Sequence, residues 1–201
     1  MKKFISMKKF IFMLTIVIIL TAASVFAFQP AYIIPANITV RTQQGPRCSA
    51  YALSAALEVY GYDVDPVVLF GSLPEDGGGK GLAELLPVAE RMIGTGIVAR
   101  QLYTVDDIKR SVSADTPVWM KIYMDAASKI IVWDRLTFFQ YFFGGGSSLQ
   151  SHAVVVVGWA PDWLIYQDSY GPSWGANGRK TMTDRVRAFM AYAIICREVA
   201  R

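Results

Sequence analysis

The sequence predicts an α+β fold, with helices first and strands after. Three observations carry that expectation. Helix-type segments with stop signals fall within residues 48–112, β-type runs separated by turn residues follow from 117, and no internal repeat breaks the succession. Hydrophobic residues make up 53% of the chain and aromatics 13%, enough apolar surface to build one well-packed core.

The first 27 residues stand apart. Lys2, Lys3, Lys8 and Lys9 form a basic start, an apolar run from Phe10 to Leu20 follows, and Val25-Phe26-Ala27 ends on a small residue. This is the pattern of a cleaved secretory signal peptide, so the protein is expected outside the cell or in the periplasm. An uncleaved signal anchor is the alternative, since the apolar stretch is nearly long enough to span a bilayer.

Phe28 to Gln43 reads as an extended lead-in. Cys48 to Tyr60 reads as a helix stopped by Gly61, with apolar residues on almost every face at Ala52, Leu53, Ala55, Ala56, Leu57 and Val59; such a helix is buried. A loop at Gly77-Gly78-Gly79 leads to a second helix from Leu82 to Met92, ended by Gly94 and Gly96. Thr104 to Val112 makes a third, with Asp106 and Asp107 at its positive end. Strands are expected at 117–123, 130–132, 153–159, 163–167 and 189–199. The turn Ala160-Pro161-Asp162 should join 153–159 and 163–167 into a hairpin. The predicted organisation is a signal peptide at 1–27, a helical lobe at 28–113 and a β lobe at 114–201.

The formal charge of +4 belongs to the leading segment. Four of the 20 Lys and Arg residues lie before residue 28, no acid does, and 16 acids follow, so residues 28–201 are balanced. The basic balance is therefore no argument for nucleic acid. Two distant cysteines and one histidine do not make a metal-ligand set, and no cofactor is expected.

Chemistry concentrates on a few residues. Cys48 opens a helix, whose free N–H groups and positive dipole end stabilise a thiolate. The alternative is a small buried cysteine filling space. His152, the one histidine, is placed at the start of an apolar strand, where imidazole can take and return a proton, or can be structural. Asp168 ends the partner strand, where a carboxylate can hold the imidazole tautomer; as a turn residue it would be ordinary. Gln44, or its neighbour Gln43, can supply an N–H to an oxyanion together with the Cys48 N–H.

The arrangement resembles the papain family of cysteine peptidases along nearly all of residues 28–201. Gln44-Gly45 leads to Cys48-Ser49-Ala50-Tyr51-Ala52, His152-Ala153-Val154 runs to Gly158, and Asp168-Ser169-Tyr170-Gly171 is followed by Trp174-Gly175-Ala176-Asn177-Gly178. The resemblance implies a papain-like two-lobe fold, with a central helix in one lobe and antiparallel strands in the other. It implies hydrolysis of peptide bonds, with Cys48 as nucleophile, His152 as base and acid, Asp168 as orienter and Gln44 at the oxyanion. Gly78, Gly79, Ser151 and Tyr170 would line the substrate cleft. Asp168 stands where that family has Asn, which makes the chain similar also to the double-glycine peptidases that process bacteriocins. Tyr170 stands where the family has Trp. Partners expected are a protein or peptide substrate, no nucleic acid, and a membrane only through an uncleaved signal segment, for a monomer. Two alternatives remain at this level: transpeptidation or deamidation by the same residues, and a silent binding protein with the same fold.

Overall fold

The computed structural model describes residues 31–39, 41–71, 80–125, 149–170, 179–183 and 190–197. The segment 1–27 expected to be a signal peptide, the Gly77–Gly79 loop, the strand expected at 130–132 and the Trp174–Gly178 motif lie outside the described residues. The elements run β1 (Tyr32–Ile33), α1 (Cys48–Glu58), α2 (Pro66–Gly71), α3 (Leu82–Ile93), β2 (Ile97–Leu102), α4 (Val105–Ser113), β3 (Val118–Asp125), β4 (Leu149–Ala160), β5 (Trp163–Gln167), β6 (Arg179–Thr183) and β7 (Met190–Cys196).

The three expected helices form because their ends are well specified. Gly45, at φ +68°, makes the turn before α1, and Gly61, at φ +82°, the turn after it. Ala50 to Ser54, Ala56 and Leu57 of α1 are buried, as a helix apolar on nearly every face requires. The Gly81 N–H donates to Glu84 Oε1 (2.7 Å) at the start of α3, and Gly94 closes that helix in the left-handed conformation. Thr104 caps α4 by accepting the Asp107 N–H at 3.0 Å. The short α2 was not foreseen. Its signal was Asp65-Pro66: the Asp65 carboxylate accepts the Val67 N–H (2.8 Å), and proline suits a first helical position.

Among the described residues the strand pairings are antiparallel, in the order β2-β7-β3-β4-β5-β6, with β1 alongside the end of β4. The β4–β5 hairpin forms as expected, with a one-residue bulge between Val156 and Gly158. Residues 28–113 do more than build helices: they also supply β1 and β2 to this sheet. Ala99 and Leu102 of β2 pack on the core, whereas Arg100 and Gln101 carry polar side chains, and this short mixed run gave no clear period.

β4 is the spine of the sheet. Ala153 to Val157 are each at most 2% exposed, which explains a run of valines rather than an alternation. α1 packs against β4, and the Trp119 indole of β3 donates to the Ser49 carbonyl at 3.2 Å, tying the first turn of α1 to the sheet. β4 begins four residues earlier than expected, because β3 runs on to Asp125 and gives Leu149 to Ser151 ladder partners. His152 is therefore not at the start of the strand. It sits inside the strand, opposite Ile122, and is 1% exposed.

Candidate active site

Cys48 is the first residue of α1, and no side chain caps that end. The first N–H groups of a helix lack an acceptor one turn back, and here the Ser49 N–H acts on the Cys48 sulfur. Cys48 is partly buried and not in a disulfide. Burial pushes its thiol pKa up. Hydrogen bonding and charge from His152, with the N–H groups of Ala153 and Ser49, outweigh burial and leave the pKa below the ordinary thiol value.

His152 and Asp168 meet across the hairpin. Val155 pairs with Gln167, the last residue of β5, so Asp168, one residue past that strand's end, falls diagonally opposite His152. His152 Nε2 lies 2.7 Å from Asp168 Oδ1, with both side chains out of solvent. Asp168 Oδ1 also accepts the Tyr170 N–H at 2.9 Å, which fixes the carboxylate. Burial lowers the imidazole pKa, but Asp168 and Cys48 together outweigh it and raise the value. The two shifts are complementary: both favour a thiolate beside an imidazolium. His152 Nδ1 is buried and, with Nε2 held by Asp168, is the nitrogen left to face Cys48 for proton transfer. The Tyr170 ring stacks on the imidazole, with centroids 4.3 Å apart and planes 18° from parallel, and shields the pair from water.

These residues open onto a cleft of about 530 Å³ lined by Gln43, Cys48, Lys80, Lys121, Ser151 and His152, with Tyr170 also on its wall. Ser151 and Tyr170, expected at the substrate cleft, both line this space. Gly78 and Gly79 lie outside the described residues. Gln44 does not line the cleft: it is exposed, and Gln43 is the glutamine that faces it. The reason is a local clamp. The Gln43 N–H donates to the Ser169 carbonyl (2.7 Å), the Ser169 hydroxyl donates to Gln43 Oε1 (2.5 Å), and Gln43 Nε2 donates to the Gly45 carbonyl (2.9 Å). The bond to Gly45 uses one of the two amide protons and leaves the other to give. Lys80 and Lys121 escaped the sequence reading. Nothing local marks a lysine as cleft-lining.

Known proteins share this fold. No protein-family model and no curated protein matches the sequence. Solved structures do match. A protein of Bacillus anthracis described as C39-like peptidase aligns at TM-score 0.55 and 16% identity, covering 82% of this chain and 98% of that one. A cysteine protease of Carica candamarcensis, solved in complex with E-64, aligns at TM-score 0.53 and 18% identity, covering 79% of this chain and 93% of that one. The peptidase domain of Streptococcus ComA, a bifunctional ABC transporter involved in quorum sensing, aligns at TM-score 0.51 and 15% identity, covering 79% of this chain and 97% of that one. The chain therefore has an α+β, papain-like fold.

Proposed function

We propose that this protein is a secreted cysteine peptidase that hydrolyses peptide bonds through an acyl-enzyme on Cys48. One observation carries the proposal: a thiol at a buried helix's N-terminus and a buried His152–Asp168 pair converge on the wall of one cleft. The likeness in fold to cysteine peptidases supports it, and the basic and apolar pattern of residues 1–27 supports export.

The chemistry follows from the geometry. The Cys48 thiolate attacks the scissile carbonyl carbon, and the carbonyl π electrons move onto oxygen. That oxyanion is met by the Cys48 N–H and a Gln43 Nε2 proton. As the oxyanion collapses, the C–N bond breaks and the imidazolium gives its Nδ1 proton to the leaving amine. Neutral His152 then takes a proton from water, whose oxygen attacks the thioester. Collapse of the second oxyanion expels the Cys48 thiolate and releases the acid. Asp168 accepts the Nε2–H throughout, holding the ring in one orientation and stabilising its charged form.

The test is labelling with E-64, an epoxide that alkylates activated thiols, followed by peptide mapping, alongside hydrolysis of a casein substrate. Labelling confined to Cys48, and loss of both hydrolysis and label in Cys48→Ala, are expected. An Ala variant that still hydrolyses would sink the nucleophile assignment. A folded native protein that neither labels nor hydrolyses would point to a binding protein on a peptidase fold. The N-terminus of protein recovered from the culture medium tests export: cleavage after Ala27 is expected.

A further inference from the structure

The cleft carries a charge pattern that its catalytic residues do not explain. Lys80 and Lys121 both line it, from different parts of the chain: Lys80 directly precedes Gly81 at the start of α3, and Lys121 is on β3. Among the described lining residues there is no Asp or Glu. Asp168 lies behind His152 and is neutralised by it.

Position adds to sign. Lys121 pairs directly with Ala153, the residue after His152 whose N–H acts on the Cys48 sulfur. Directly opposed antiparallel residues hold their Cβ atoms about 5 Å apart, so Lys121 springs from beside the reacting atoms. Lys80 is 4% exposed, which is rare for lysine. Both residues also have interactions within the protein, so what recommends them is place and charge, not a missing partner. The stem of a lysine reaches roughly as far as two extended residues of a bound peptide span, about 7 Å. The charged side chains among the described lining residues are of one sign, and like charges lining a cleft concentrate the field on whatever enters it.

We infer that the cleft selects peptides bearing an Asp or Glu side chain within two residues of the scissile bond, with Lys80 and Lys121 as the specificity-determining residues. The inference rests on the peptidase reading and names its substrate class. An acidic side chain gains a charge-assisted contact, its amide isostere loses most of that gain, and a lysine in the same place is repelled.

The experiment is a mixture-based peptide library digested by the full-length secreted protein, with cleavage sites read by mass spectrometry. Matched quenched peptides carrying Asp, Asn or Lys at the enriched position then give kcat/KM. The expected result is an Asp:Asn ratio of at least about tenfold and a still larger Asp:Lys ratio. In Lys121→Gln and in Lys80→Gln the Asp:Asn ratio should fall towards one, and Lys121→Glu should shift preference to the Lys peptide. The rate of E-64 labelling at Cys48 shows that each variant retains a formed site. Cleavage of the library with no acidic enrichment would overturn the inference, as would an Asp:Asn ratio unchanged in both Gln variants. Labelling at Cys48 with no library peptide cleaved would also overturn it, since acidic peptides are present throughout. Absence of both labelling and cleavage would instead bring down the peptidase reading, and this inference with it.

Discussion

His152 of β4 and Asp168, one residue past the end of β5, meet diagonally across the hairpin: Nε2 and Oδ1 lie 2.7 Å apart, with side-chain exposures of 0% and 2%. Sequestered from water, the carboxylate acts on the imidazole at full strength and raises its pKa against the effect of burial. Asp168→Asn should keep the oxygen that accepts the ring N–H but lose the charge. The imidazolium would then deprotonate at lower pH, so the alkaline limb of the kcat/KM profile should move towards acid. Asp168→Ala should lose orientation as well, at a cost on the order of 10³–10⁴ in kcat. Rate–pH profiles of the two variants check both statements. Equal losses in Asn and Ala would mean that the charge itself is indispensable.

Gln43 and Gln44 are adjacent but differently placed, the first on the cleft wall and clamped to Ser169, the second exposed. Gln43→Ala should lower kcat roughly 10²-fold or more, the usual cost of one oxyanion donor. Gln44→Ala should leave kcat within about twofold, as exposed substitutions away from special features usually do. Steady-state kinetics on one peptide substrate decides between them. The reverse order of losses would return the oxyanion role to Gln44.

The two thiols should differ sharply in reactivity. His152 lowers the Cys48 pKa, whereas burial pushes Cys196 up to about 11, so at pH 7 only about one Cys196 in 10⁴ is thiolate. Brief iodoacetamide treatment of the native protein followed by peptide mapping should find the label on Cys48 and almost none on Cys196. Comparable labelling of both would contradict the thiolate–imidazolium assignment.

Gly158 is where β1 closes on β4. A Cβ there would sit 2.8 Å from the Tyr32 carbonyl oxygen, 3.0 Å from Ile33 Cγ1 and 3.2 Å from Ile165 Cβ. Gly158→Ala must push β1 or β5 aside and should cost about 1–3 kcal/mol of stability. Urea unfolding monitored by tryptophan fluorescence measures it. An unchanged midpoint would show that β1 yields without loss.

Helices α1, α3 and α4 were legible in the sequence because their determinants are local. Gly61 and Gly94 stop α1 and α3, Thr104 starts α4, and the apolar residues around α1 announce its burial. Cys48, His152 and Asp168 could be picked out for a different reason. A single histidine leaves no choice of base, and the turn at Ala160-Pro161-Asp162 folds β4 and β5 into a hairpin that carries the acid towards it. What tertiary structure alone decided is which side chains share a space. β2 joins a sheet built mostly from the other half of the chain, because β7 offers it a full ladder from Ile97 to Leu102. Gln43 rather than Gln44 faces the cleft, because Ser169, over a hundred residues away, clamps it there. Lys80 and Lys121 come to one cavity from separate elements. Local patterns fix the period of a helix or strand. They do not say which neighbour a side chain meets, because that is set by packing between segments far apart in the chain.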